Sequence, residues 1–320
     1  MPPAHIRRRS LLLGIAAAPL LPGPAWADAA LQVVATTGMI ADTARVLGGD
    51  AVAVRALMGP GVDPHSYRQT RSDIAALVNA DLTLWHGLYL EAQMEEFLGQ
   101  LAARKPVAAV AEAVPRDLLL AHDNYPDRFD PHVWMDPALW SPVTERIAEA
   151  LLSVAPDLPL GPALEAHKAE LASLRAYADE VLSTIPEESR ILVSAHDAFG
   201  YFGRAWGFDV QGIQGISTES EAGVARIEEL VSLLVDRRVR AVFVESSVSD
   251  RGLRALIEGA RAQGHEVAIG GQLFSDAMGP DGTYEGTYLG MIDHNVSLIA
   301  RSLGGTAPER GRLGLLGAGT

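Results

Sequence analysis

The sequence predicts an α/β protein of two lobes, each with a central, mostly parallel sheet flanked by helices, joined by one long helix. Three observations carry this reading: strand and helix patterns alternate through the first half, one uninterrupted helical stretch occupies the middle, and the alternation then resumes. In the first half, residues 31–36, 51–57, 81–86 and 106–110 are short aliphatic and β-branched runs of the kind strands use. Residues 72–79, 91–104 and 137–154 have helical spacing. Residues 113–131 show no clear period and carry several prolines and aspartates, which predicts a loop. The long stretch runs from Pro162 to about Thr184, with Leu164, Leu171, Leu174, Ala178 and Val181 on one face. At 1.5 Å per residue it would be about 35 Å long, the height of a domain. Beyond Ile185-Pro186, strands are expected over 190–194, 208–212, 241–245 and 267–270, and helices over 224–236, 251–263 and 284–302. The expected division is a signal peptide over 1–27, an N-terminal lobe over 28–160, the connecting helix over 161–186 and a C-terminal lobe over 187–320.

Composition narrows the function classes. The 320 residues are 48% hydrophobic and 21% charged, enough apolar material for a core in each lobe and no signature of disorder. The formal charge of −14 disfavours nucleic acid and anionic membrane surfaces as partners and suits cations. With no cysteine, disulfides, zinc–thiolate sites, iron–sulfur clusters, thiol catalysis and a lipid-anchored cysteine after the leader are all excluded. Arg7, Arg8 and Arg9, the apolar run 11–21 and Ala25-Trp26-Ala27 have the order of a cleavable signal peptide, so the mature chain is expected to begin at Asp28 as a soluble periplasmic protein. Arg8-Arg9-Ser10-Leu11-Leu12 also resembles a twin-arginine signal, which leaves both the general and the folded-protein export routes open.

The nine histidines are unlike one another. His65 and His132 each close an Asp-Pro-His triplet, Asp63-Pro64-His65 and Asp130-Pro131-His132. Proline fixes its own φ and pushes the residue before it to an extended shape, so each imidazole hangs from a stiff turn. Asp63 and Asp130 stand where they could accept the proton of the ring nitrogen turned away from a metal; the plainer alternative is turn chemistry beside a solvated histidine. His196 ends the run Ile191-Leu192-Val193-Ser194-Ala195, at a strand's C-terminal edge, where open α/β sheets bind ligands. A capping or core histidine is its alternative. Asp276 follows the last predicted strand and alone reads at least as well as a helix N-cap. Together, three imidazoles and one carboxylate, two from each lobe, suit a first-row divalent ion such as Zn²⁺ or Mn²⁺ and offer nothing to a thiolate-seeking one. Glu245, at the end of the buried run Ala241-Val242-Phe243-Val244, needs a partner there and reads either as an acceptor behind a ligand or as a ligand itself. His86, His167, His265 and His294 read as structural, His122 as solvated, and His5 leaves with the leader.

Signatures of hydrolases and nucleotide enzymes are missing: no G-x-S-x-G, H-E-x-x-H, P-loop or G-x-G-x-x-G occurs. Four segments instead resemble the zinc and manganese solute-binding proteins of metal ABC transporters, most closely the TroA type. They are Met58-Gly59-Pro60-Gly61-Val62-Asp63-Pro64-His65-Ser66-Tyr67, Phe129-Asp130-Pro131-His132-Val133-Trp134-Met135-Asp136, Ser194-Ala195-His196-Asp197-Ala198-Phe199-Gly200-Tyr201-Phe202 and Leu273-Phe274-Ser275-Asp276-Ala277-Met278-Gly279. The resemblance spans the mature chain, including Gly87-Leu88-Tyr89-Leu90-Glu91 and the long helix, and maps the family's metal ligands onto His65, His132, His196 and Asp276. It implies a non-enzymatic, monomeric carrier that delivers a metal ion to an inner-membrane ABC permease served by a separate cytoplasmic ATPase. Manganese-dedicated members typically carry Glu where His196 stands, and many zinc-dedicated ones a His-rich loop where this chain has only His122, so the resemblance fixes the site more firmly than the ion. A secreted metal-dependent hydrolase using the same residues is the competing reading; it needs an open coordination position, whereas four protein ligands fill a tetrahedral ion.

Overall fold

The computed structural model describes residues 30–122 and 125–317; the expected signal peptide and Asp28 lie outside the described residues. The elements run β1 (Leu31–Ala35), α1 (Gly38–Gly48), β2 (Val52–Ala56), α2 (Arg71–Asn79), β3 (Leu82–Trp85), α3 (Glu95–Ala102) and β4 (Val107–Ala109), then β5 (Ala121–His122) and β6 (Tyr125–Phe129). After α4 (Pro137–Val154) and α5 (Gly161–Ser183) come β7 (Ile191–His196), α6 (Gly200–Trp206), β8 (Asp209–Gln214), α7 (Val224–Asp236), β9 (Ala241–Glu245), α8 (Arg251–Ala262), β10 (Ala268–Leu273) and α9 (Tyr288–Ser302).

In the N-terminal lobe, four parallel strands lie in the order β2-β1-β3-β4. Val33, Val34 and Ala35 of β1 are all buried, as expected of a parallel strand covered on both faces. The C-terminal lobe has two parallel pairs, β7 with β8 and β9 with β10, and β7 packs beside β9. Every residue of β7 is buried. β10 is bulged between Ile269 and Gly271, where Gly271 has a φ of 136° and a Cβ would meet Leu298 at 2.8 Å, so glycine is required at this bend. The bend sets the course of the chain toward Asp276.

Local chemistry explains the helix ends. Thr70 and Asp73 form a reciprocal capping box at the start of α2. Asp136 caps α4 through Ala138 N at 2.9 Å with Pro137 in the first turn, and Arg175 of α5 reaches the same carboxylate at 2.7 Å. The long helix α5 buries Leu171, Leu174, Ala178 and Val181 of the predicted stripe, together with His167 and Leu182, while Leu164 is half-buried.

Three expectations change. Residues 113–131 are not a bare loop: β5 and β6 pair antiparallel, Ala121 with Phe129 and His122 with Tyr125. Such a short ribbon has too few positions to display a period in sequence. His122 is buried rather than solvated, its ring 4.9 Å from that of Tyr125. The helices α1 and α6, which the strand-and-helix pattern left unassigned, are also present; α6 is only seven residues long, too short for its apolar face to repeat.

The two lobes are joined by more than α5. One hydrophobic cluster runs from β1 and α1 through α4 and α5 to Phe199, Tyr201 and Phe202 of α6 and Tyr288, Ile292 and Val296 of α9. A second core, built on Val193, Leu230, Leu234, Val242 and Leu256, belongs to the C-terminal lobe alone. Helix α9 is buried nearly all round, as a helix passing through a shared core must be.

Candidate metal centre

His65, His132, His196 and Asp276 converge, each offering one ligand atom, with all four atoms within 4.8 Å of one another and all four residues buried. His65 sits in the turn after β2, His132 after β6, His196 at the end of β7 and Asp276 just beyond β10. Two of the four precede α5 in the chain and two follow it. His65 Nε2 is 3.2 Å from His132 Nε2, and the Asp276 oxygens lie 3.3 Å from His132 Nε2 and 3.1 Å from His196 Nε2. Despite that proximity, His196 Nε2 and both Asp276 oxygens lack hydrogen-bond geometry to any partner. Buried polar atoms of this kind are costly unless something else satisfies them; a cation among them would.

Behind the ligand atoms stand acceptors that orient the rings. Asp130 Oδ1 takes the backbone N–H of His132 at 2.9 Å and its ring Nδ1–H at 2.6 Å. Glu245 at the end of β9 does the same for His196 on β7, accepting from the backbone N–H at 2.9 Å and from Nδ1–H at 2.5 Å. This is the carboxylate–histidine arrangement that fixes the tautomer and turns Nε2 toward a metal. Glu245 thus stands behind His196, with both oxygens occupied. Asp63 departs from the expectation: its Oδ1 accepts the backbone N–H of His65 at 2.9 Å, and its Oδ2 accepts from Ser66 Oγ and Thr218 Oγ1, both at 2.7 Å, so it shapes the turn and holds no ring nitrogen.

The electrostatics split the three imidazoles. Burial pushes His65 down to about 3, against the attraction of Asp276. Burial acts on His132 in the same sense, but Asp130 and then Asp276 outweigh it and hold it up at about 9. His196 is likewise raised well above the ordinary imidazole range because Asp276 and Glu245 overcome its burial. The carboxyl of Asp276, which burial alone would raise, is held well below the usual range by His196 and then His132. With His132 protonated and His65 neutral, the 3.2 Å contact is His132 Nε2–H donating to His65 Nε2.

A pocket reaches the site. A pocket of about 210 Å³ has His65 in its wall and is bordered by Leu88, Tyr89, Tyr125 and Phe129 of one lobe and the 215–222 loop of the other. The chain at its rim takes three successive positive φ values, 84° at Gly87, 52° at Leu88 and 68° at Tyr89. Such conformations cost about 1 kcal/mol or more for each non-glycine residue. Buried Glu91 holds the turn, accepting from His86 N at 2.7 Å and Gly87 N at 3.2 Å.

Of the remaining histidines, His122 lines the same pocket as His65. His265 and His294 meet the carbonyls of Val239 and Gln272, both at 2.8 Å, and His167 is buried on α5. His86 is outside the four-residue group but close to it: its Nε2–H donates to the Pro131 carbonyl at 2.7 Å, one residue before His132, and its ring stands 4.9 Å from that of Trp134. Reading ligand types along the sequence misses such supporting residues, among them Trp134, Asn295, Tyr201 and Thr218. For Trp134 a signal existed, because a tryptophan two positions past a ligand in an apolar run must find an acceptor for its indole N–H.

A buried donor set closed by two α/β lobes and one long helix defines a solute-binding protein of metal ABC transporters. The chain belongs to the family described as the periplasmic zinc-uptake complex component A, ZnuA, which it matches over residues 33–302. It is 47% identical over 280 residues to the manganese-binding lipoprotein MntA of Bacillus subtilis, covering 87% of this chain and 91% of that one. It is 44% identical over 281 residues to the zinc-binding protein TroA of Treponema pallidum, again covering 87% and 91%. The solved structure of periplasmic zinc-binding TroA from Treponema pallidum superposes with a TM-score of 0.83 at 43% identity, over 86% of this chain and 99% of that one. Nothing in these likenesses points to a hydrolase. An ABC permease and its ATPase are the partners that this class implies. Among the described residues, no helix is long and apolar enough to cross a membrane.

Proposed function

We propose that the protein captures a divalent transition-metal ion, Zn²⁺ or Mn²⁺, with His65, His132, His196 and Asp276 in the cleft between lobes 28–160 and 187–320, bridged by the helix at 161–186, and hands it to an inner-membrane permease. The supporting observation is the convergence of four buried ligand atoms within 4.8 Å, two of the imidazoles already oriented by carboxylates. Four protein ligands enclose the ion and leave no position for a reacting water, which favours carriage over catalysis. The basic, apolar and small-residue order of residues 1–27 supports export to the periplasm and a mature N-terminus at Asp28. MntA of Bacillus subtilis is named as a lipoprotein, whereas this chain has no cysteine; a soluble, monomeric carrier is part of the proposal.

The two most similar relatives named above are described by different ions, so similarity does not select between them. Ligand chemistry does. Three neutral imidazoles and one carboxylate suit tetrahedral Zn²⁺, and the intrinsic affinity order places Zn²⁺ above Mn²⁺. Competition titration of metal-free protein at one pH should give tighter Zn²⁺ binding. Replacing any of the four residues with Ala should weaken it at least a hundredfold, while His167→Ala and His265→Ala leave it unchanged. Wild-type affinity in His132→Ala or Asp276→Ala would refute the ligand set; Mn²⁺ displacing equimolar Zn²⁺ would refute the preference.

A further inference from the structure

Asp276 differs from the histidines in how it is held. His132 and His196 are gripped through their rings by Asp130 and Glu245, whereas neither carboxylate oxygen of Asp276 has a hydrogen-bond partner. Apart from the imidazoles of the set itself, 3.3 and 3.1 Å away, what places it is its backbone. Asn295 of α9 brackets the neighbouring Phe274, its Oδ1 accepting from Phe274 N at 2.9 Å and its Nδ2 donating to Phe274 O at 2.7 Å. Closer still, Trp134 Nε1–H donates at 2.8 Å to the carbonyl of Ser275, an atom of the peptide group that carries Asp276.

Trp134 belongs to the other lobe, in the short turn that follows His132. Its indole ring is fully buried, 5.1 Å from the His132 ring and 4.9 Å from His86, both at steep angles. Its own carbonyl accepts from Tyr288 Oη at 2.9 Å, and the Tyr288 ring stacks on Trp140 at 5.2 Å. One side chain thus touches a ligand of the N-terminal lobe and hydrogen-bonds the backbone of a ligand of the C-terminal lobe.

Resting on the ligand set proposed above, we infer that Trp134 is a positioning residue that fixes the spacing between His132 and Asp276 across the lobe junction, and through it the size and geometry of the ion accepted. The indole N–H is the element that does this. Removing it leaves the Ser275 carbonyl buried without a donor, and Asp276, whose carboxylate meets only the imidazoles of the set itself, is the residue that shifts. Outer partners of metal ligands typically change affinity about 10- to 100-fold when removed.

The test uses the exported full chain and compares Trp134→Phe with Trp140→Phe. Both replace a fully buried tryptophan and remove an indole hydrogen bond, that of Trp140 being to Thr43 Oγ1 at 3.1 Å, but only Trp134 touches the ligand segments. Metal-free melting temperature, Zn²⁺ affinity by competition and the visible absorption of the Co²⁺-loaded protein are read for each. Expected are similar losses of melting temperature, with about a tenfold or greater loss of Zn²⁺ affinity and an altered Co²⁺ spectrum in Trp134→Phe alone. Tyr288→Phe, which releases the Trp134 carbonyl while leaving the indole in place, should move both metal readouts in the same direction by a few-fold, and it carries the test if Trp134→Phe does not fold. Wild-type affinity and spectrum in Trp134→Phe, or in Tyr288→Phe where that variant stands in, would overturn the inference while His132→Ala and Asp276→Ala still lose metal. Retention of metal by those two variants would instead overturn the ligand set, and this inference with it.

Discussion

The floor and the mouth of the cleft are both crossed by hydrogen bonds between the lobes, but of different kinds. On the floor, Trp134 Nε1–H reaches Ser275 O, and Tyr201 Oη donates to Asp130 O at 2.7 Å while accepting from Leu120 N at 3.0 Å; Trp134, Ser275 and Tyr201 are fully buried. These bonds lie inside the core common to both lobes. At the mouth, Thr218 Oγ1 donates to Asp63 Oδ2 at 2.7 Å and Gln93 Nε2 to Glu219 Oε1 at 2.6 Å, from half-buried or exposed residues. A buried bond that breaks leaves an unsatisfied group costing about 1–3 kcal/mol, whereas water replaces an exposed partner at little cost. The junction below the ion is therefore fixed and the rim above it is not. Metal exchange should proceed by movement of the 215–222 loop, with the lobes held apart at constant distance.

Outside the four proposed ligands, the largest effect should follow from removing the carboxylate behind His196. Glu245→Ala removes the acceptor of both the backbone N–H and the Nδ1–H of His196, in a strand with every residue buried. Zn²⁺ affinity should fall about 10- to 100-fold, as for other outer carboxylates behind a liganding imidazole. Asp63→Ala, at the mouth and away from any ring nitrogen, should fall by much less. Competition titration of the two variants checks the ranking, and equal losses would erase the distinction between floor and mouth.

Protons separate the same two regions. His132, below the ion, is held up at about 9, while His65, which borders the access pocket, is pushed down to about 3. An incoming cation thus meets a neutral imidazole first and must expel a proton from the floor. Below pH 9, each proton expelled makes affinity rise about tenfold per pH unit. Stability of the metal-free protein should run the other way. A histidine whose folded value is raised from 6.5 to about 9 contributes stability that is fully present below pH 6.5 and lost as pH rises through 9. Calorimetry in buffers of differing ionisation heat, with melting curves of metal-free protein, should show proton release between pH 6 and 8 and a falling contribution from His132. A pH-independent affinity across that range would contradict the protonation of the floor.

How much of this was legible in the sequence follows the same division. Three of the four proposed ligands stand out because they occupy stiff or strand-terminal settings, Asp-Pro-His for His65 and His132 and the end of a buried run for His196; parallel strands with long aliphatic runs and most of the stripe on α5 are readable for the same local reason. The floor was not, because its partners are far apart in the chain: Trp134 and Ser275 are separated by 141 residues and Tyr201 and Asp130 by 71. Local pattern carries no record of such pairs. Asp63 shows the limit from the other side, since the same triplet as Asp130 gave a different hydrogen bond once Thr218 arrived from the opposite lobe. His86 read as structural and is so, yet it holds Pro131 beside a ligand. His86→Ala leaves that carbonyl without a donor and should cost about 1–3 kcal/mol of stability, with a loss of affinity smaller than that of Glu245→Ala.

The smallest effect, and the one most specific to the mouth, concerns Thr218. Its hydroxyl is the link by which the 215–222 loop meets Asp63, and Asp63 in turn holds the backbone of His65. Thr218→Val keeps the shape of the side chain and deletes that link, at a half-buried position where water can take over the Asp63 oxygen. Stability should change by about 1 kcal/mol or less, within the range for a single net hydrogen bond. Equilibrium affinity should barely move, since the four ligands and the floor are untouched. The rates should respond, because the loop bounds the pocket that has His65 in its wall: release of Zn²⁺ to an excess of chelator, followed by stopped flow, should speed up a few-fold, with capture accelerated by a similar factor. Small-angle scattering of metal-free and metal-loaded protein should superimpose for both wild type and Thr218→Val, because the movement is that of a loop. A variant that releases metal at the wild-type rate, or a radius of gyration that grows on metal loss, would place the moving part in the lobes and remove the basis for treating the floor as fixed.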